Sequence, residues 1–145
     1  MITVGELLDR KGHNIWSVSP DDSVFEAIKK MDESGVGALV VLKDGHLAGM
    51  LSERDYARQV ILKGRTSKET KVKEIMSSQV YYTFPEQTVD DCMIVMTERR
   101  IRHLPVLKDD ELVGMVSIGD LVKDIIAEQK FIIEQLEHYI SGDEY

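Results

Sequence analysis

The chain contains a copy of itself. Sliding the sequence by 65 residues places Pro20 on Pro85, Gly49-Met50 on Gly114-Met115, Ser52 on Ser117 and Asp55 on Asp120. No gap is needed from Pro20 to Lys63, and those 44 positions hold 15 identities, five of them where Leu39-Val-Val-Leu-Lys-Asp44 lies over Leu104-Pro-Val-Leu-Lys-Asp109. Pairs that differ, such as Ile28/Met93 and Leu51/Val116, mostly stay apolar. Two unrelated amphipathic segments do not keep one offset over this length, so each half is expected to build the same unit.

That unit reads β-α-β-β-α. A short apolar strand comes first, over 15–18 and 80–84, and a proline turn follows at Pro20 and Pro85. Ser23-Val-Phe-Glu26 and Thr88-Val-Asp-Asp91 have capping-box spacing, a hydroxyl and a carboxylate placed to satisfy the unpaired N–H groups of a helix start. Val24, Ala27, Ile28 and Met31 then recur with helical spacing, as do Val89, Cys92, Met93 and Met96. Cys92 reads as packing in that row. Strands over 38–42 and 47–51 flank Asp44-Gly45, a strong hairpin signal; Asp109-Asp110 stands there in the second copy. Ser52 and Ser117 each open a second helix.

One copy of ~60 residues buries too little surface to be robust alone, so the two are expected to pack about a pseudo-twofold axis. The organisation expected is α+β. Residues 1–63 form repeat 1, N-terminal helix included, and 64–71 a polar linker. Residues 72–127 form repeat 2, opening with a short helix over 72–76, and 128–145 extend the last helix. In that extension Ile125, Gln129, Ile132, Leu136 and Tyr139 recur at spacings of four and three, Ile126, Ile133 and Ile140 widen the stripe, and Gly142 is placed to end it. This stripe either folds back on its own core or forms a self-association face; a homodimer is the expectation.

The net charge of −8 argues against a general nucleic-acid binder, which needs a broad basic face, but not against a small anion held by local N–H groups. The single cysteine fits a reducing compartment. The first residues carry no basic, then apolar, secretory pattern, and no run approaches the ~18 apolar residues of a membrane span. A soluble cytoplasmic protein is expected. There is no phosphate-binding glycine loop, no nucleophile elbow and no metal-ligand spacing among His13, His46, His103 and His138, so neither catalysis nor a metal site is expected.

Ile75-Met76-Ser77, Val18-Ser-Pro20, Thr83-Phe-Pro85, Ile101-Arg-His-Leu-Pro-Val106 and the paired Gly49-Met-Leu-Ser-Glu-Arg-Asp55 and Gly114-Met-Val-Ser-Ile-Gly-Asp120 together carry a resemblance. Over about residues 3–127 the chain resembles the tandem cystathionine-β-synthase (CBS) domain pair, or Bateman module, of stand-alone CBS-pair proteins. The resemblance implies a regulatory, energy-sensing module that takes AMP, ADP, ATP, NAD or S-adenosylmethionine in two clefts between the repeats, and passes a change of conformation to an effector protein. No cofactor is required. In one implied site Asp55 and Ser52 hold ribose or phosphate beside Met50, Val80 and Tyr81 form the adenine wall, and Ile101, Arg102 and His103 close the pocket. In the other, Asp120 and Ser117 take the sugar beside Met115, with Ile15 and Trp16 as the wall, Val36, Gly37 and Ala38 as the closure and Arg54 as a phosphate cation. The alternative is a non-catalytic interaction and dimerisation scaffold with vestigial nucleotide sites.

The residues themselves leave other readings open. Ser-x-x-Asp at a helix start caps the helix with no ligand present. Arg102-His103 also reads as a charged strand end, Arg54 as a partner for Glu53 or Asp55, and Trp16 and Tyr81 as core aromatics. The copies differ as well: Gly37-Ala38 stands where Arg102-His103 stands, and Gly119 where Arg54 stands. One dominant and one weaker site are therefore expected.

Overall fold

A computed structural model describes residues 2–142. In chain order the elements are α1 (Val4–Lys11), β1 (Ser17–Val18), α2 (Val24–Ser34), β2 (Ala38–Lys43), β3 (His46–Ser52), α3 (Glu53–Tyr56, continued by a π turn Ala57–Ile61), α4 (Val72–Ile75), α5 (Val89–Arg99), β4 (His103–Lys108), β5 (Glu111–Ser117) and α6 (Ile118–Ser141). The class is α+β, with two small sheets and six α-helices among the described residues. The chain divides into two units: Asn14–Tyr82 with Asp109–Val113, and Met1–His13 with Thr83–Lys108 and Gly114–Tyr145.

In the first of these, β1 runs parallel to β2, and β2 antiparallel to β3, Val40 facing Met50. Val18, Val24, Ala27, Met31, Leu39, Val41, Leu51, Val60, Val72 and Ile75 form one buried cluster, which is where the alternating and helical apolar spacings converge. The Asp44-Gly45 turn has φ of 52° and 79°, the twist a tight hairpin needs. Asp109 and Asp110 adopt the same left-handed pair at 51° and 64° without a glycine. The linker is more than a solvated connection. Carbonyls of Thr70 and Ser67 accept from the N–H groups of Val24 and Phe25, and Ser23 Oγ accepts from Glu26 N, so the first turn of α2 has its donors satisfied. Thr70 is itself buried. One expectation is met only in part: Ser23 caps α2 in one direction only, whereas Thr88 and Asp91 form the full reciprocal box.

In the other unit α1 is closed onto second-repeat residues. Val4 N donates to Gln87 O, Gly5 N to Pro85 O and Val89 N to Ile2 O, and Thr3 bridges Thr88. The same pattern joins α4 to the first repeat: Val72 N to Asp22 O, Lys73 N to Pro20 O, Val24 N to Thr70 O, and Ser23 bridging Lys71. α1 is thus the counterpart of α4. Sequence groups residues 1–13 with the first repeat; in space they complete the unit that holds the second. Leu8, Met96, Leu104 and Leu121 are among its fully buried side chains.

Two strand expectations need correction. Residues 15–18 pair only at Ser17 and Val18. Residues 80–84 form no strand, only a bridge from Thr83 to Val106. Val40 N donates to Trp16 O in the first repeat, but Pro105 occupies the matching place in the second and has no N–H to give. Only the flanking bonds survive, Thr83 N to Pro105 O and Leu107 N to Thr83 O.

Candidate functional site

Each repeat ends its last strand in the same device. Ser117 N donates to Asp120 Oδ2 at 2.9 Å, and Asp120 N donates to Ser117 Oγ at 3.1 Å. Ser52 N donates to Asp55 Oδ2 at 2.9 Å, and Asp55 N to Ser52 Oγ at 3.2 Å; Ser52 Oγ also lies 3.1 Å from Asp55 Oδ2. Both are full capping boxes. A carbonyl just ahead of a strand pins each helix start: Gly37 O, ahead of β2, accepts from Glu53 N at 3.1 Å and Arg102 O, ahead of β4, from Ile118 N at 2.8 Å. The boxes hold two carboxylates, half-exposed and rigid, at two strand-to-helix corners. Such a corner can offer carboxylate oxygens to a vicinal diol.

The residues named from sequence group as follows. Met50, Ser52, Asp55, Ile15, Trp16, Val36, Gly37, Ala38, Arg54, Val80 and Tyr81 lie in one unit, and Ile101, Arg102, His103, Met115, Ser117 and Asp120 in the other. Sequence set Arg102 and His103 with Asp55, and Gly37 with Asp120. Within each repeat, the Gly37 carbonyl accepts at the Ser52 corner and the Arg102 carbonyl at the Ser117 corner. His103 is held below the ordinary imidazole range, first by burial and then by Lys11 and Arg102, with Asp120 pulling the other way. It is therefore neutral at pH 7. Ala38 is buried in β2, and Met50 and Tyr81 are half-buried. Ile15 lines a groove of about 580 Å³ with Ser17, Leu42, Gly45, His46, Asp110, Glu111 and Leu112; none of the other residues named from sequence lines it.

Sequence reading missed Lys11, Arg10 and Asp124. Lys11 Nζ lies 2.7 Å from Asp120 Oδ2 and 2.7 Å from Met115 O. Arg10 Nη1 lies 3.3 Å from Asp124 Oδ1. Nothing local marks these pairs, because they join positions more than 100 residues apart. Burial pushes the Asp120 carboxyl up, but the Lys11 hydrogen bond, the Ser117 backbone and the Lys11 charge outweigh it, and the net direction is down. Asp124 moves the other way. Its side chain is 5% exposed and its Oδ2 is buried without a hydrogen-bond partner. Burial raises its carboxyl, only partly opposed by Arg10.

A raised carboxyl binds its proton more tightly folded than unfolded, so stability drains away as pH climbs through that range. Wild-type protein should therefore lose stability relative to Asp124→Asn as pH rises above the ordinary aspartate value of about 4. Urea midpoints across that range check this; a difference that is flat or reversed contradicts it.

Among the described residues no helix is long and apolar enough to cross a membrane, and no group of three or more His, Cys, Asp or Glu is gathered to hold a metal. A family profile, the CBS domain, matches residues 4–61 and 72–127. The chain is 42% identical over 150 residues to the mitochondrial CBS domain-containing protein CBSX3 of Arabidopsis thaliana, spanning 97% of this chain and 72% of that protein. It is 50% identical to a putative signal-transduction protein with CBS domains from Burkholderia ambifaria MC40-6, with a TM-score of 0.85 and 88% and 96% of the two chains covered. At 22% identity the fold is shared with the CBS domain pair of protein MJ0100, solved in complex with 5′-methylthioadenosine and S-adenosyl-L-methionine; the TM-score is 0.78, over 88% of this chain and 98% of that one.

Proposed function

Because the chain belongs to the CBS domain family, we propose that it is a regulatory module which binds adenosine-containing ligands through Asp55 and Asp120 and passes the occupied state to a partner protein. The observation that carries this reading is the pair of Ser–Asp boxes, each with its carboxylate fixed at a strand-to-helix corner. A fixed carboxylate suits a ribose diol because both hydroxyls donate and neither acceptor oxygen must be recruited from a mobile side chain. The adenosine-bound CBS pair that shares this fold supports the ligand class. AMP, ADP, ATP, NAD and S-adenosylmethionine all present that diol. Arg102 and Arg54 are the guanidinium candidates for phosphate. Occupancy would act by favouring one of two conformations, and only to the extent that the ligand binds them unequally.

Thermal unfolding with each of the five ligands tests this. A ligand at a hundred times its Kd should stabilise the native state by about 2.7 kcal/mol, a rise of several degrees in midpoint. Asp55→Ala and Asp120→Ala should remove unequal parts of the rise, since the two corners differ in local charge. No rise with any ligand would favour the scaffold reading. Two equal, independent sites by calorimetry would contradict the inequality.

The partner reading extends to a second copy of the chain. Beyond Glu128, α6 is largely exposed, and Val122, Ile126, Ile133, Leu136 and Ile140 stand uncovered, with Gln129 between them. Their spacing of four and three is a heptad seam with isoleucine at 126, 133 and 140, the β-branched choice that favours two strands. This row keeps Gln129 and Leu136 of the row that sequence put first and takes Ile126 in place of Ile125, which is half-buried; Ile132 and Tyr139 of that first row are exposed as well.

A further inference from the structure

We propose that Lys11 sets the charge preference of the Asp120 corner, selecting adenosine ligands that carry phosphate over uncharged or cationic ones. The proposal rests on the adenosine reading above and deepens it. Its ground is a difference between two corners that are otherwise alike. In both, a serine caps the helix and an aspartate closes the box. In the first repeat the carbonyl of Met50 is taken by a backbone donor, Ser77 N, at 2.9 Å. In the second the matching carbonyl, Met115 O, is taken by the Lys11 ammonium. The reason lies in the swapped helices. After α4 the chain is extended and pairs its backbone with Met50, whereas α1 stays helical through Lys11 and can offer that strand only a side chain.

The consequence is electrostatic. A carboxylate that accepts ribose hydroxyls also repels the phosphate of the same nucleotide. At Asp120 an ammonium at 2.7 Å cancels that charge, and it binds the same oxygen, Oδ2, that Ser117 N uses. None of these contacts uses Oδ1, which remains the acceptor for a hydroxyl. Two anchors hold the ammonium in place although a third of the side chain is exposed. His103, neutral at pH 7, does not do this work. Neither does the counterpart of Lys11 in the first repeat: the pairing of Val4 with Val72 sets it 68 residues on, at Gln79, which carries no charge. The Asp120 corner is thus matched to an anionic ligand such as AMP. One screened charge some 6 Å from a phosphate is expected to alter affinity about three- to tenfold.

The test is calorimetric titration of the full chain with AMP and with adenosine, which differ only by the phosphate. It is run on wild type, Lys11→Met and Lys11→Arg, each also in an Asp55→Ala background so that the other corner does not mask the result. Lys11→Met should lower the AMP-to-adenosine affinity ratio about three- to tenfold, and Lys11→Arg should keep it within about twofold. The ratio is insensitive to loosening of α1, which would weaken both ligands alike. Equal weakening of both, or an unchanged ratio, overturns the proposal and leaves the adenosine reading standing. Wild-type protein that binds neither ligand overturns the reading and the proposal together.

Discussion

Gly49→Ala should be among the most destabilising single-methyl changes available to this chain, costing about 2–4 kcal/mol and lowering the melting midpoint by roughly 10 °C. A Cβ at Gly49 would sit 2.7 Å from the carbonyl oxygen of Ser77 and 2.8 Å from Met76 Sδ. The oxygen is backbone, and it accepts from Met50 N in the bridge that fastens the segment after α4 to β3. Relief therefore means separating that bridge, with the loss of one or both of its hydrogen bonds, on top of the overpacking. Gly114→Ala is the control. The equivalent Cβ would lie 2.8 Å and 2.9 Å from the two terminal methyl carbons of Leu8, which a rotamer change can move aside. It should cost about 1 kcal/mol. Chemical denaturation of both variants decides the matter; equal costs would mean that the close approach at Gly49 is not what holds the segment there.

Removing residues 128–145 should halve the particle mass measured by light scattering. Ile133→Glu with Leu136→Glu should do the same without shortening the chain. Ile132, Ile133, Leu136, Tyr139 and Ile140 are all about half or more exposed, a density of uncovered apolar surface that a monomer seldom carries. Burying a carboxylate pair in such a seam costs several kcal/mol, far more than the surface effect of the same change on a monomer. Wild-type protein that runs as a monomer, or a truncated chain of unchanged assembly, would rule out α6 as the contact.

How much of this was legible beforehand follows from what each feature depends on. The repeat, the helix caps at Ser23, Thr88, Ser52 and Ser117, the Asp44-Gly45 turn and the end of α6 at Gly142 all rest on local chemistry, and spacing alone revealed them. The 80–84 strand failed for an equally local reason, since Pro105 was in plain view, but its effect falls on the segment that would pair with it. Helix-start donors satisfied from the linker, and the partnership of α1 with second-repeat residues, are tertiary facts. Amphipathic spacing says which side of α1 is buried and not which neighbour buries it. Lys11 shows the same limit. A lysine in the last turn of a helix is ordinary, and its contact with Asp120 spans 109 positions.

The exchange of α1 and α4 has a consequence for how the protein is made. α1 leaves the ribosome before the residues it docks on, which begin at Thr83, about seventy positions later. At ordinary translation speeds of about 5–20 residues per second, that is a delay of several seconds. Meanwhile the 14–82 stretch can begin to settle first. Nascent chains of this protein should present Val4, Leu7 and Leu8 to cellular holdases during that interval, and a ribosome stalled near position 80 should carry them unprotected.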